Sequence, residues 1–225
     1  MIHFHVITLF PESIEPYPKA SIIGRAQAAK KIKVSFYDPK KFTRNRYGRV
    51  DRRPYGGGPG MVLEPDGVLR AAAKAMSRRN LDNREVIFFS TDGTQFDEAM
   101  AKRLASNPRG DTSRIWKHII LICGHYEGID ARVQKILKAK KVSMGPFVLT
   151  GGELPAATLI DAVTRFVPGV LGKAESLEAS RVSSPEVYTR PEVLVWKGKK
   201  YRVPKVLLTG HHAKIEEWKK KNRGS

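Results

Sequence analysis

Three short segments combine glycines with few bulky side chains, and they are the part of the sequence best suited to hold a ligand. They are 53–63 (RPYGGGPGMVL), 123–130 (CGHYEGID) and 144–155 (MGPFVLTGGELP). Glycine permits positive φ angles and lets backbone groups approach a ligand closely. Structural turns are the alternative interpretation of each loop. Because the second loop directly follows a predicted buried strand, where open α/β sheets bind their ligands, the pattern favours a nucleotide-like pocket.

The common nucleotide-binding motifs do not account for these loops. The run GGGPGMV has no lysine after its last glycine, so it is not a P-loop. No G-x-G-x-x-G follows a predicted strand, which argues against a Rossmann dinucleotide site. The sequence therefore predicts a pocket of another kind.

The histidines and the cysteine predict no metal site. His3 and His5 alternate on a predicted strand, His211 and His212 are adjacent, and none has a cysteine or carboxylate at zinc-ligand spacing. Cys123 is the one cysteine, so neither an intramolecular disulfide nor a thiolate cluster can form. This usage favours a reducing, cytoplasmic setting.

The charge balance points to a polyanionic partner. Of the 225 residues, 41 are Lys or Arg and 22 are Asp or Glu, which gives a formal net charge of +19. A hydrophobic fraction of 41% is typical of a globular protein and excludes a disordered basic tail. The densest basic stretch runs from Lys40 to Arg53, a pattern also found on ordinary solvated surfaces.

No membrane segment or signal peptide is predicted. No apolar run approaches the roughly 18 residues that a membrane-spanning helix needs. The N-terminal MIHFHVITLF has neither a basic start nor a small-residue cleavage site. We therefore expect a soluble, cytoplasmic protein without a membrane partner.

Strands and helices alternate along the first two thirds of the chain. Alternating or short apolar runs predict strands at Ile2–Phe10, Ile32–Tyr37, Glu85–Ser90 and Lys117–Cys123. Apolar spacings of three and four predict helices at Lys19–Lys30, Pro65–Arg78, Gln95–Ala105, Ile129–Lys138 and Leu154–Phe166. This alternation predicts an α/β fold with a largely parallel sheet.

The last third of the chain has a different pattern. Residues 168–190 are rich in Gly, Ser, Glu and Pro without sustained periodicity, and we interpret them as a linker. Beyond it, Arg202–Thr209 is predicted to be short and extended or irregular, and His212–Lys221 is predicted to form a short helix. The final run WKKKNRGS looks like a solvated basic tail.

Long motifs in a fixed order give the sequence a specific resemblance. They are ITLFPE, VDRRPYGGGPGMVL, LICGHYEGIDARV, VLTGGELPAATLIDAVTRFVPGVLG, YTRPEV and VPKVLLTGHHAKIEEW. On these motifs the chain resembles, along nearly its whole length, the bacterial tRNA (guanine-N1)-methyltransferase family TrmD, of the SPOUT class of S-adenosylmethionine-dependent methyltransferases.

The resemblance implies an architecture that periodicity alone does not predict. Family members fold the methyltransferase domain with a deep trefoil knot, a rare exception to unknotted connections. They act as homodimers whose active sites join the cofactor loop of one chain to the linker and C-terminal part of the other. For this chain, the resemblance implies a knotted cofactor domain at 1–167, an interdomain linker at 168–190 and a small, mainly helical tRNA-binding part at 191–225.

By resemblance, two of the three glycine loops and the end of the third strand would hold S-adenosylmethionine. The implied cofactor residues are Ser90, Thr91, Gly93, Gly124, Tyr126, Glu127, Met144, Gly145, Pro146, Phe147, Val148, Leu149, Gly151, Gly152 and Pro155. The implied substrate residues are Asp51, Tyr55, Gly58, Pro59, Gly60 and Ser176. Magnesium is a further cofactor that the resemblance implies.

The chemistry implied is methyl transfer to N1 of guanosine 37, beside the anticodon of tRNA. Because guanine N1 carries a proton at neutral pH, the reaction needs a base and a donor that stabilises charge on O6. The resemblance assigns these roles to Glu175 and Arg165, although a solvating linker carboxylate and a surface arginine are the plainer interpretations. Asp51 and Glu127 would accept hydrogen bonds from guanine, which adenine cannot offer.

Two alternatives remain open at this point. Thr91, Asp92, His125 and Pro146 differ from the residues usual in the family, so the chain could be a basic RNA-binding protein that retained the fold with reduced or lost methyl transfer. The other alternative is an enzyme that methylates a different RNA base.

Overall fold

The structure is a computed structural model that describes residues 1–76, 83–106, 117–171 and 186–222. Its contacts divide the chain into two compact units, Met1–Leu171 and Gly172–Ser225. The first unit therefore ends inside the stretch 168–190 that the sequence marks as a linker. Glu175 and Ser176 lie outside the described residues.

The first unit is built on a parallel sheet, which confirms the predicted α/β class. Its strands are β1 (Ile2–Ile7), β2 (Ile32–Tyr37), β3 (Asp51–Arg52), β4 (Val62–Leu63), β5 (Arg84–Gln95), β6 (Lys117–Ile122) and β7 (Lys140–Ser143). Five of them form one parallel sheet in the order β2-β1-β6-β5-β7, and β3 pairs antiparallel with β4. The helices are α1 (Ser21–Ala28), α2 (Pro65–Met76), α3 (Glu98–Ala105), α4 (Ala131–Leu137) and α5 (Glu153–Arg165).

The sheet has an apolar core on each face. Strand β6 lies in the middle, and all six of its residues are buried. Alternate β6 residues point to opposite faces, so Ile119 and Leu121 join the core that includes α1, α3 and α5, whereas Ile120 and Ile122 join the core that includes α2 and α4. Continuous apolar runs are typical of parallel strands covered on both sides.

The structure corrects several predicted boundaries. Strand β1 ends at Ile7, whereas β5 continues to Gln95 with a register irregularity between Phe89 and Thr94. Helix α3 begins only at Glu98, because the Asp97 side chain accepts a 2.7 Å hydrogen bond from the Met100 amide and caps the helix there. Strand β7 was not predicted, since four residues are too few to show a period.

In the second unit, a hairpin precedes two short helices. The strands β8 (Val193–Trp196) and β9 (Lys199–Arg202) pair antiparallel, and α6 (Lys205–Leu208) and α7 (His212–Lys221) follow. The prediction of extended or irregular chain at Arg202–Thr209 is wrong where α6 forms, whereas α7 has the predicted bounds. Among the described residues, no helix combines the length and apolar character that crossing a membrane requires.

Candidate functional site

A cavity of about 480 Å³ opens at the C-terminal ends of the central strands. Its walls come from the end of β5, the loop 124–128 after β6, and the loop 144–152 between β7 and α5. Carboxyl ends of parallel strands are where α/β proteins usually bind ligands, and this volume is ordinary for a small-molecule site. Two of the three glycine loops therefore meet at one cavity.

The loop after β6 is held on both sides by backbone contacts. The Gly152 amide donates to the Gly124 carbonyl at 2.9 Å, and His125 forms an antiparallel bridge with Gly151. On the other side, the Glu127 amide donates to the Met61 carbonyl at 3.0 Å. These bonds fix the loop between the other two glycine segments, so all three lie side by side.

Glycine is required where these segments approach most closely. A Cβ on Gly152 would lie 2.5 Å from the Cα of Cys123, so the start of α5 packs directly on the end of β6. A Cβ on Gly93, in the irregular part of β5 between Phe89 and Thr94, would lie 2.5 Å from the backbone nitrogen of Val142 on β7. Backbone atoms cannot move aside as a flexible side chain can, so a larger residue would push α5 away from β6 at Gly152 and β5 away from β7 at Gly93.

A buried carboxylate supports the cavity floor. Thr8, which follows β1, donates through Oγ1 to Oε1 of Glu153 at 2.6 Å, and both side chains are buried. Glu153 is the first residue of α5, where a negative charge is favoured by the helix dipole. Burial is the main reason why the pKa of the nearby Cys123 thiol lies well above its usual value, and the negative charge of Glu153 raises it further. Cys123 is therefore a packed thiol and not a nucleophile.

An ion pair borders the cavity at β7. Lys141, which lines the cavity, lies 2.6 Å from Oδ2 of Asp92, and Ser90 donates to the other oxygen of that carboxylate. The hydrogen bond from Lys141 makes the largest contribution to lowering the pKa of Asp92, and the hydrogen bond from Ser90 lowers it further. Since both charged side chains are substantially exposed, the pair orders the end of β5 more than it stabilises the fold.

Most residues expected to hold the cofactor lie on this cavity. The lining includes Ser90, Thr91, Gly124, Tyr126, Glu127, Met144, Phe147, Val148, Leu149, Gly151, Gly152 and Pro155. Gly93 instead lines a second, neighbouring cavity, and neither Gly145 nor Pro146 contributes to the lining. The Gly145 amide donates a hydrogen bond to Ser143 Oγ at 3.2 Å, and the φ of Gly145 is +154°, in the region that favours glycine.

Among the expected substrate residues that the structure describes, Gly60 lies against the cavity and Asp51 is linked to it through a short strand pair. Tyr55, Gly58 and Pro59 are exposed, and a Cβ on Gly60 would lie 2.5 Å from Cγ of Glu127, so this loop packs against the cavity wall. Asp51 pairs with Leu63 in the short β3–β4 ladder, and Leu63 bridges to Ile129 just after the loop 124–128. The structure therefore places Gly60 next to the residues expected to hold the cofactor.

Arg165 does not lie on the cavity with the other expected site residues. It is the last residue of α5, whereas Gly152 and Pro155 at the start of the helix line the cavity. The second expected catalytic residue, Glu175, is outside the described residues, as is Ser176.

Further lining residues were not predicted. On α4, Ala131, Gln134 and Lys135 face the cavity with the three- and four-residue spacing of one helix side. On β7, Lys141, Val142 and Ser143 form an adjoining wall. The α4 residues could have been predicted to line the cavity, because that helix was predicted and directly follows a glycine loop.

Comparison with known proteins identifies the same family as the motifs. The model of the family described as tRNA (Guanine-1)-methyltransferase TrmD matches residues 2–225. A tRNA (guanine-N(1)-)-methyltransferase of Magnetococcus marinus is 41% identical over 224 residues, covering 98% of this chain and 84% of that protein.

Two further relatives carry the same name. The protein of Trichodesmium erythraeum is 41% identical over 223 residues, covering 97% of this chain and 91% of its own length. The protein of Mannheimia succiniciproducens is 42% identical over 222 residues, covering 96% of this chain and 81% of its own. The likeness therefore extends over both compact units.

Proposed function

The chain belongs to the tRNA (guanine-1)-methyltransferase TrmD family, and we propose that it transfers a methyl group from S-adenosylmethionine to N1 of guanosine 37 in tRNA. The observation that carries this proposal is the cavity of about 480 Å³ whose walls are the glycine loops. Its position at the strand ends, together with full-length similarity to enzymes of this name, favours an enzyme over a plain RNA-binding protein.

The cavity suits an S-adenosylmethionine molecule. Exposed apolar side chains, Phe147, Val148 and Leu149, offer a surface for an adenine ring, and the backbone of Gly124 and Gly152 allows close approach. When bound, the cofactor supplies an electrophilic methyl group on a positively charged sulfur. Glu127, which also lines the cavity, is a carboxylate that can interact with that positive charge.

The guanine would enter from the loop 55–60, which adjoins the cavity at Glu127. Asp51 and Glu127 would accept hydrogen bonds from guanine N–H groups and select against adenine. Glu175 would remove the proton from guanine N1. Arg165 would donate a hydrogen bond to O6 and so stabilise the negative charge that develops there. Ser176 would contact the substrate beside the base.

A homodimer is part of the proposal, as is the knot of the SPOUT class. Support for the dimer comes from the position of Arg165 at the far end of α5 from its own cavity. Support for the knot comes from the chain path: β7 pairs with β5, yet the loop that follows it crosses back to bond with the loop after β6. We further propose the knotted domain at 1–167, the linker at 168–190 and the tRNA-binding part at 191–225.

The described residues contain no cluster of three or more carboxylates that would suit the magnesium ion implied by the resemblance. The one cluster of three or more potential metal ligands there consists of histidines, whereas Mg²⁺ prefers an octahedron of oxygen atoms. No step of the proposed chemistry is therefore assigned to a magnesium ion.

The substrate fits the charge of the chain. With a net charge of +19, the protein would bind the anticodon stem-loop largely through phosphates, in the cytoplasm where tRNA is modified. Reaching N1 requires the target base to leave the stack of the loop, as in other enzymes that act on bases.

The proposal is tested with unmodified tRNA transcripts that carry guanosine or adenosine at position 37. Labelled S-adenosylmethionine should methylate N1 of the guanosine transcript alone. Equal labelling of both transcripts would contradict the base assignment, and tight tRNA binding without any labelling would indicate an RNA-binding protein without transfer activity.

The role of Glu175 is tested with a matched pair of linker variants. Glu175→Gln should reduce single-turnover methyl transfer at least about a hundredfold, the usual contribution of a general base, while tRNA affinity is retained. Glu178→Gln removes the same charge three residues away and should transfer at the wild-type rate. The reverse result would assign the base to Glu178.

A further inference from the structure

Two histidines of β1 meet a histidine of β6, more than a hundred residues later in the sequence, in the core of the first unit. His3 and His5 lie on β1 and His118 lies on β6, and their side chains are 5%, 3% and 7% exposed. His3 pairs in register with His118, so all three side chains point to the same face of the sheet. One nitrogen from each lies within 4.8 Å of the others.

The cluster is far from the cofactor cavity. His3 and His118 are each the second residue of a parallel strand, whereas the cavity lies past the other end of β6. Six residues separate His118 from Gly124, which corresponds to about 20 Å along an extended strand. The imidazoles are therefore not part of the methyl-transfer site.

Two hydroxyl groups orient two of the rings. Nε2 of His3 is hydrogen-bonded to Ser35 Oγ at 2.8 Å, and Nδ1 of His5 is hydrogen-bonded to the Tyr37 hydroxyl at 3.0 Å. Metal-binding histidines characteristically use one ring nitrogen for the metal and the other for such an outer hydrogen bond, which fixes the ring and its tautomer. His3 Nδ1 and His5 Nε2 would then be the ligand atoms.

The third imidazole is already adjacent to the second. Nε2 of His5 and Nδ1 of His118 are joined by a 2.9 Å hydrogen bond, whose proton a metal ion would replace, and the rings of His3 and His5 are tilted by 32° with centroids 3.7 Å apart. Ligand nitrogens around tetrahedral zinc are separated by about 3.3 Å, so the widest pair would have to approach by about 1.5 Å. Rotation about the soft terminal torsion of histidine permits a movement of this size.

We propose that His3, His5 and His118 form a binding site for one zinc ion on β1 and β6, towards the N-terminal ends of these strands and away from the cofactor cavity. Imidazole ligands suit zinc, and a three-histidine set leaves a fourth tetrahedral position for water. The ion would link β1 to β6, two neighbouring strands of the sheet. The plainer alternative is a network of neutral histidines that is satisfied by hydrogen bonds alone.

The full-length protein, purified, treated with chelator and titrated with zinc chloride, tests the site. We expect one equivalent of zinc per chain, and His118→Gln should abolish this binding. The control variant carries His211→Gln and His212→Gln, which removes the exposed adjacent pair in the second unit, and it should bind zinc as the wild type does.

The variant Tyr37→Phe guards against loss of zinc through misfolding. It retains all three ligands and removes only the hydroxyl on His5, so we expect a folded chain that binds zinc at least about tenfold more weakly. Absence of stoichiometric zinc binding by the wild type would overturn the proposal in favour of the hydrogen-bond network. Zinc binding that depends on His211 and His212 instead would overturn it in favour of surface chelation.

Discussion

Glu153 and Arg165 are the first and last residues of α5, and they therefore lie about 18 Å apart along the helix axis. The start of this helix forms the floor of the cavity, because Gly152 and Pro155 line it. Among the described residues, none from that far end of the helix lines the cavity. We therefore expect Arg165, if it acts in catalysis, to do so at the cavity of a second copy.

A heterodimer with one defect in each chain tests this arrangement. One chain carries Arg165→Ala, and the other carries Leu149→Arg, which places a bulky charged side chain in the cavity. Each variant alone should be inactive. The heterodimer, isolated with two different affinity tags, should have about half the wild-type activity, because one of its two symmetric sites combines an intact cavity with an intact arginine.

Two outcomes would contradict the proposal. A heterodimer without activity would mean that Arg165 serves the cavity of its own chain. A protein that sediments as a monomer while methylating tRNA would exclude the shared site altogether.

A second prediction concerns the contact between α5 and β6. In Gly152→Ala, the new Cβ would lie 2.5 Å from Cα of Cys123, so the helix start would have to shift away from the strand. We expect a loss of about 1–3 kcal/mol in the free energy of unfolding and weaker S-adenosylmethionine binding. Urea denaturation and calorimetric titration measure the two effects.

Gly124→Ala is the matched control for that substitution. Gly124 lines the same cavity, but its Cβ would meet only the Ile129 side chain at the ordinary distance of 3.6 Å. Its free energy of unfolding should therefore stay within about 0.5 kcal/mol of the wild type. If both substitutions lowered the free energy of unfolding equally, the close approach of Gly152 to Cys123 would not be the cause of the destabilisation.

The strands of the sheet were predictable where apolar residues form long runs. The bounds Ile32–Tyr37 were predicted correctly, and Lys117–Cys123 was wrong by only one residue, because buried parallel strands need continuous apolar sequence. Strand β7 escaped prediction, since it consists of four residues that begin with two lysines. Its place beside β5 depends on tertiary contacts, including the crossing at Gly93, that no local pattern encodes.

The two clusters of functional interest differ in how far the sequence predicts them. The cavity loops were found because glycines that allow close approach are clustered locally, as at Gly151 and Gly152. The histidine cluster was missed because His118 lies 113 residues from His5 in the chain. Only the pairing of β1 with β6 brings them together, and strand order was not part of the sequence prediction.

A third prediction concerns the ionic cluster of Glu85. Burial would raise the pKa of this carboxyl, but hydrogen bonds from Lys140 at 2.8 Å and Arg103 at 3.0 Å outweigh burial and lower it. The ionised carboxylate therefore stabilises the native state above the unfolded pKa, and this contribution disappears as the pH falls through the lower native pKa.

Glu85→Gln should accordingly destabilise the protein in a pH-dependent way. We expect a loss of about 1 kcal/mol near neutral pH, a modest value because the side chains of Arg103 and Lys140 are 49% and 63% exposed and can be solvated when the carboxylate is removed. In urea denaturation, the difference from the wild type should shrink with acidification. A difference that is constant down to acid pH would attribute the effect to packing instead of charge.

The last prediction concerns the basic end of α7. Lys220 and Lys221 are exposed in its final turn, in the part of the chain proposed to bind tRNA. If each contacts one phosphate, replacing both by glutamine should weaken tRNA binding and reduce the slope of log K against log salt by about 1.4–1.8, since each phosphate contact releases condensed counterions. Replacing the exposed Lys102 and Lys138 of the first unit by glutamine removes the same charge and serves as the control. Equal changes of slope in both double variants would mean that net charge, and not a tRNA contact at α7, sets the affinity.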